Sequence, residues 1–281
     1  MTNKILLTGA TGFVGRQVYS SLAASSSEIG IVARPSWKDC EQLFPNATEI
    51  IITRDLFSES EDWWAEKCAG YDKVIHVAWH AEPSEYLHSE KNMDCLIGSL
   101  KLAKGATRAG IKKFVGVGTC LEYDITGDAL STQDPLNPDT IYGSTKASLF
   151  LSLSNWFGLH SATFAWCRLF HLYGEGEHPD RLVAYIKSKI EAGETVELTS
   201  GSQIRDFLDV AIAGQMIAEV TNSDQSGALN ICSGAPVTVR QMAEKVADDY
   251  GRRDLLRFGA RPSNKKEPSV IVGIPSLERH P

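Results

Sequence analysis

The chain has 281 residues, 43% of them apolar, and its 28 Lys and Arg against 35 Asp and Glu give a formal charge of −7 with a pI near 5.5. That length allows one large α/β domain with a smaller lobe appended, and no apolar run nears the roughly eighteen residues that cross a bilayer. The acidic balance argues against nucleic acid or an anionic membrane surface as the main partner, so an anionic ligand must be met by particular arginines.

In chain order, Met1-Thr2-Asn3 leads straight into the apolar strand Lys4-Ile5-Leu6-Leu7-Thr8, which leaves no room for a signal peptide. Gly9, Gly12 and Gly15 follow, and a helix is predicted over 13–24 with Val18 and Leu22 facing inward. In a strand, turn and helix of this order, glycines permit the tight turn, let the backbone approach a pyrophosphate and bring the helix close to the strand. The spacing is G-x-x-G-x-x-G.

Strands over 28–33, 49–52, 73–78, 112–118 and 162–168 then alternate with helices over 60–67, 88–109 and 141–158. This alternation predicts an α/β chain of the Rossmann type, a doubly wound parallel sheet, over residues 1–173. From Gly174 the pattern becomes irregular, with helices near 179–192, 209–221 and 238–250 and short strands near 196–199 and 228–232. Residues 174–281 are expected to form a smaller C-terminal α/β lobe that binds substrate, with 205–221 folding back onto the first domain. The cysteines at 40, 68, 95, 120, 167 and 232 show neither a Cys-x-x-Cys pair nor zinc-ligand spacing, so no metal is expected and they read as reduced residues of a cytoplasmic protein.

Tyr142-Gly-Ser-Thr-Lys146 carries the chemistry. Residues four apart on a helix project from one face, so the Lys146 ammonium is expected near the Tyr142 phenol, drawing a group of reference pKa about 10 toward the working range of a proton donor or acceptor. Thr119 ends the strand over 112–118 and lies four residues before Tyr123.

Taken with Asp55-Leu56, Val74-Ile75-His76-Val77-Ala78, Asn92, Phe114-Val115-Gly116-Val117-Gly118-Thr119, Pro138, Arg168-Leu169-Phe170-His171-Leu172-Tyr173-Gly174 and Gly201-Ser202-Gln203-Ile204-Arg205-Asp206-Phe207, these motifs run in the order found in the extended short-chain dehydrogenase/reductase family. The chain resembles that group of NAD(P)-dependent nucleotide-sugar epimerases, dehydratases and reductases over nearly its whole length. The resemblance implies Thr119, Tyr142 and Lys146 as the catalytic set. It implies cofactor contacts from Gly9, Thr11, Gly12, Phe13, Val14 and Gly15, from Asp55, Leu56, Ala78, Trp79, His80 and Asn92, and again from Tyr142 and Lys146. Substrate contacts are expected from His80, Thr119, Cys120, His171, Arg181, Arg205 and Arg261, with Arg205 and Arg261 on the diphosphate, and Asp206 is expected to orient backbone or Arg205.

NAD-using relatives carry an aspartate at the end of the second strand, where this chain has Ala33-Arg34. The missing carboxylate removes repulsion toward a 2′-phosphate, which Arg34, joined by Arg16, can bind; NADPH is therefore expected over NAD. Cys120-Leu121 stand where dehydratases place an Asp-Glu pair, which takes dehydration away. The expected activity is NADPH-dependent reduction of the C4 ketone of a nucleotide-activated 4-keto-6-deoxysugar, with a nucleotide-sugar 4-epimerase as the alternative. A non-catalytic NADP sensor is disfavoured by the intact Tyr/Lys pair. A homodimer built on the helices over 88–109 and 141–158 is expected by analogy.

Overall fold

A computed structural model describes residues 3–25, 27–37, 42–83, 85–127, 129–264 and 267–277. Cys40, and Lys265 and Lys266 of the polar tail, lie outside the described residues. The first half alternates as expected: β1 (Lys4–Thr8), α1 (Phe13–Ala23), β2 (Glu28–Ala33), β3 (Ala47–Ile52), α2 (Glu61–Lys67), β4 (Lys73–His76), α3 (Lys91–Arg108) and β5 (Lys113–Thr119). After β6 (Ala129–Leu130) come α4 (Ile141–Gly158), β7 (Thr163–Leu169), β8 (His171–Tyr173), α5 (Leu182–Glu191), β9 (Val196–Leu198) and β10 (Ile204–Asp209). The chain continues with α6 (Val210–Asn222), β11 (Gly227–Ile231), β12 (Pro236–Thr238), α7 (Val239–Asp249), β13 (Leu256–Phe258) and β14 (Val270–Gly273).

Seven parallel strands form the large sheet in the order β3-β2-β1-β4-β5-β7-β11. Its inner strands are near-continuous apolar runs because both faces are covered by helices, and β5 is buried along its whole length. One core layer joins α1 and α6 to the sheet through Val18, Leu22, Ala213 and Ile217; the other sets Trp64, Leu102, Leu149, Leu153 and Phe157 of α2, α3 and α4 against Phe114, Phe164 and Trp166. The strand order reverses between β1 and β4, and a crevice opens at their carboxyl ends.

Two parts of the C-terminal half differ from expectation. The strand near 228–232, assigned to the smaller lobe, is instead β11, paired in parallel with β7 as the seventh strand of the large sheet. The segment 205–221 divides: Val210–Asn222 lies against α1 as expected, whereas Ile204–Asp209 is the central strand of a small sheet ordered β12-β10-β14-β6, with β8 also paired to β10. These strands are two to six residues long, too short for alternation to stand out from a loop. Asp206 holds the small sheet together. Buried, its carboxylate accepts from the backbone N–H groups of Ser233 (2.6 Å), Gly234 (2.8 Å) and Gly273 (3.3 Å). A separate core of α5, α7, β9 and β13 closes the lobe.

Candidate active site

A cleft of about 1280 Å³ lies over the carboxyl ends of the large sheet, walled on its far side by residues 169–172 and 176–181. At one end, Gly9 has φ +78°, and a Cβ there would stand 2.6 Å from the Ala78 nitrogen, so only glycine fits. Gly15 faces the Gly9 carbonyl, where any side chain would strike backbone. Gly12 caps α1 without a side-chain hydrogen bond, and the first turn of α1 holds no acidic residue. These open amides and the helix dipole make a cradle suited to a pyrophosphate, and Thr11, Phe13 and Val14 complete its wall. The residues fit a dinucleotide.

Where the adenosine ribose would rest, Ala33 is buried and the exposed Arg34 lines the cleft. Arg16 is absent from the cleft wall, and its Nε donates to the Thr11 carbonyl (3.1 Å). Asp55 and Leu56 line the next part of the wall; the Asp55 carboxylate closes its own turn by accepting from the Phe57 N–H (3.0 Å) and the Ser58 hydroxyl (2.5 Å).

Thr119, Tyr142 and Lys146 meet in the same cleft. Thr119 ends β5 and caps a 3-10 turn over Cys120–Glu122, its Oγ1 accepting from the Leu121 N–H (3.2 Å). Tyr142 opens α4, which Thr140 caps by accepting from the Gly143 N–H (3.1 Å), and the Tyr142 N–H donates to the Leu87 carbonyl (3.2 Å). Burial raises the Tyr142 pKa above its ordinary value and the nearby Tyr86 adds to this, while a hydrogen bond with the Thr119 side chain opposes it. This direction is opposite to the one expected from Lys146, because burial outweighs the rest. The Lys146 ammonium donates to the Val117 carbonyl (2.7 Å) and stands 3.7 Å from the centre of the Trp79 ring. Burial lowers its pKa to about 7 against the attraction of Glu122.

Ala78, Trp79 and His80 follow β4 into the cleft. His80 Nε2 pairs with Glu85 (2.9 Å). Asn92, expected at the cofactor, is fully buried outside the cleft wall: its Oδ1 accepts from Trp79 Nε1 (2.8 Å) and its Nδ2 donates to the Tyr86 (2.6 Å) and Ser89 (2.8 Å) carbonyls. It orients Trp79 and the segment that carries Tyr86.

On the substrate side, Cys120, His171 and Arg181 line the cleft. Burial pushes the Cys120 thiol up to about 12 and His171 down to about 3, so both are neutral at pH 7. Arg205 and Arg261 are not part of this wall. Arg205 is buried and pairs with Glu267 (2.5 Å), while Arg261 donates to the Tyr185 hydroxyl (2.8 Å) over that ring. Arg205 of β10 is thus engaged by Glu267 of the tail, and Arg261 by Tyr185 of α5, so neither guanidinium is presented to the cleft in this structure.

Sequence reasoning missed Tyr86, whose ring meets Tyr142 edge-on at 4.9 Å, and the buried pair of Glu122 with Arg168, 2.7 Å apart beneath Thr119. A carboxylate in the turn just after the apolar strand β5 and a guanidinium within the apolar strand β7 were the available signal for that pair.

Residues 5–232 match the model of a family described as the NAD dependent epimerase/dehydratase family. The chain is 24% identical over 279 residues to the dTDP-6-deoxy-L-talose 4-dehydrogenase (NAD(+)) of Aggregatibacter actinomycetemcomitans, covering 96% of this chain and 98% of that protein. Its fold superposes on a UDP-glucose 4-epimerase of Thermotoga maritima solved with UDP-glucose (TM-score 0.84, 20% identity, 97% and 90% of the two chains). It also superposes on a dTDP-glucose 4,6-dehydratase of Streptomyces venezuelae solved with NAD (TM-score 0.81, 20% identity, 96% and 88% of the two chains).

Proposed function

The chain belongs to the NAD-dependent epimerase/dehydratase family, and from that premise we propose that it reduces the C4 ketone of a nucleotide-diphospho-4-keto-6-deoxysugar with NADPH. The observation that carries this reading is a Tyr142 phenol kept protonated by burial, sharing with Thr119 and Lys146 a cleft whose dinucleotide wall bears Arg34 and no carboxylate at residue 33. A bound nicotinamide dinucleotide supplies the hydride. Thr119 Oγ1 orients the carbonyl oxygen, and Tyr142 donates its proton to that oxygen as negative charge develops there. Lys146, brought by burial to a pKa of about 7, stabilises the phenolate left behind in its protonated form, and the negative charge of that phenolate favours the protonated form in turn.

Cys120 and Leu121 beside Thr119 supply neither acid nor base for eliminating water, and the neutral thiol suits an apolar 6-deoxy position. A 4-epimerase is the alternative, and the fold likeness to a UDP-glucose 4-epimerase keeps it in view. No helix among the described residues is long and apolar enough to cross a membrane, and with five described cysteines free and buried we place the enzyme in the cytoplasm as a homodimer.

Supplied with a nucleotide 4-keto-6-deoxyhexose, the enzyme should oxidise one NADPH for each sugar reduced, and Tyr142→Phe should lower kcat by about 10²-fold or more with NADPH affinity retained. Interconversion of two 4-hydroxy sugars without net loss of nicotinamide absorbance would establish the epimerase instead. A Tyr142→Phe variant with near-normal turnover would remove the catalytic assignment.

A further inference from the structure

Directly beneath Thr119 lies a buried charge pair that the reaction described above does not use. Glu122 is 0% exposed and Arg168 1%. The Glu122 carboxylate accepts from the Thr119 N–H (2.8 Å), from Trp166 Nε1 (3.0 and 3.1 Å to its two oxygens) and from Arg168 Nε (2.7 Å). Two ions in the interior of a protein are costly to desolvate, and a pair of this kind is weak evidence for stability by itself. This one is also incompletely satisfied: Arg168 Nη1 donates to the Tyr123 hydroxyl (3.0 Å), but Nη2 has no partner.

The surrounding fold accommodates the pair. Gly118 lies where any side chain would collide with both the Glu122 carboxylate and the Trp166 indole nitrogen, and Gly116 lies against the six-membered ring of the same indole. The strand that carries Thr119 therefore gives up two side chains to let this carboxylate and indole close beneath it. The Trp166 indole, hydrogen-bonded to Glu122 at its nitrogen, has its ring centre 5.8 Å from the Lys146 ammonium.

We propose that Glu122 is a positioning residue of the reaction: its carboxylate fixes the turn that presents the Thr119 hydroxyl, and it is the counter-charge, one indole away, of the Lys146 ammonium. This rests on Thr119, Tyr142 and Lys146 being the reacting groups. The capping box supplies the mechanical part, since the Thr119 side chain and the Glu122 side chain each bind the other's end of the turn. The electrostatic part follows from the neighbourhood. Lys146 is surrounded by the neutral groups Trp79 and Val117, with Cys95 of α3 and His76 of β4 close enough to interact, and burial acts against its charge. Glu122 acts in the opposite sense. Facing Glu122 are Arg168 and Trp166 of β7, Tyr142 and Lys146 of α4, and Thr119, Cys120 and Tyr123 of its own segment. Burial pushes the Glu122 pKa up and the Arg168 guanidinium at 2.7 Å opposes that, so Arg168 is what keeps Glu122 a carboxylate that can act on Lys146.

The test titrates Lys146 directly, without any sugar. Protein labelled with [13Cε]lysine gives a Lys146 resonance, assigned by its loss in Lys146→Arg, whose pH midpoint is compared among wild type, Glu122→Gln and the charge-free double variant Glu122→Gln/Arg168→Met. The midpoint should fall by about one pH unit or more in both variants, and by more in the single one, where an unpaired Arg168 adds repulsion. With NADPH and the 4-keto sugar, kcat should fall about tenfold with little change in KM, as expected when a group acts through the transition state and not through binding. A Lys146 midpoint equal to wild type in the folded double variant would overturn the proposal, whichever sugar reaction the enzyme performs. Failure of the double variant to fold would overturn it equally, because the pair would then be a requirement of the fold. Absence of turnover on the 4-keto sugar by wild-type protein with an intact midpoint shift would instead count against the substrate reading alone.

Discussion

At the residue scale, the proposed preference for NADPH rests on Ala33 and Arg34. An aspartate at the end of β2 would repel a 2′-phosphate, whereas the guanidinium of Arg34 on the cleft wall can bind it bidentately. Arg34→Asp should move the NADPH:NADH affinity ratio toward NADH by at least tenfold, about 1.4 kcal/mol, read by fluorescence titration of each cofactor. An unchanged ratio would withdraw the role from Arg34. Arg16 is a poor substitute, since its guanidinium is engaged at Thr11. At the same scale, Asn92 shows that a polar residue in a family position can act one layer back: its side-chain hydrogen bonds go to Trp79, Tyr86 and Ser89.

At the scale of elements, α6 is tied to the sheet by its carboxyl end. Lys113, 4% exposed at the start of β5, donates to the Val220 (2.5 Å) and Ser223 (2.7 Å) carbonyls, and Lys73 of β4 donates to the Thr221 carbonyl (2.9 Å). Two ammonium groups thus satisfy the unpaired carbonyls and the negative end of the dipole where α6 stops. Burial lowers the pKa of both lysines, so the cost of desolvating them offsets part of the gain. Lys113→Met should destabilise the protein by about 2 kcal/mol through carbonyls left without a donor, seen as a lower urea midpoint with an unchanged m-value. A shift under about 0.5 kcal/mol would show that water replaces the ammonium at no cost.

For the whole molecule, His76 predicts the acid limb of stability. It is 2% exposed, its ring nitrogens bonded to Thr8 Oγ1 (2.8 Å) and Ser99 Oγ (2.7 Å), and burial, helped by Lys146, holds its pKa near 3. In the unfolded chain it titrates near 6.5. Above that pH both states are neutral and its contribution is complete. As the pH falls below 6.5, only the unfolded state takes up the proton, and stability declines with a slope approaching about 1.4 kcal/mol per pH unit until the folded pKa is reached. Denaturant unfolding of wild type and His76→Gln between pH 6.5 and 5, above the range where carboxylates dominate, should show the steeper loss in wild type; parallel curves would refute it. The proposed dimer belongs to this scale too. Met93 (46%) and Ile97 (49%) of α3 and Leu151 (52%) of α4 are exposed apolar side chains on two helices packed against each other, and large exposed patches mark interfaces. Ile97→Asp should convert the dimer to monomer in light scattering at micromolar concentration, and a wild-type monomer would remove the proposal.

What the sequence determined by itself is everything written in local pattern. The glycines of the first turn are legible because Gly9 and Gly15 stand where backbone meets backbone, and the alternation through β7 is legible because long buried strands and amphipathic helices repeat at their own periods. That Thr119, Tyr142 and Lys146 line one cleft was legible for the same reason, since a helix spacing and a strand end place them. Only the tertiary structure decided the partners. Arg205 and Arg261 are ordinary arginines in sequence, and it is the docking of β10 against Glu267 and of the tail against Tyr185 that takes them from the cleft. β11 is five residues long, and its place in the large sheet comes from pairing with β7 across some sixty residues of chain. Burial, which raises the Tyr142 pKa, lowers that of Lys146 and sets Glu122 against Arg168, is a property of what surrounds a side chain, and sequence spacing carries no record of it.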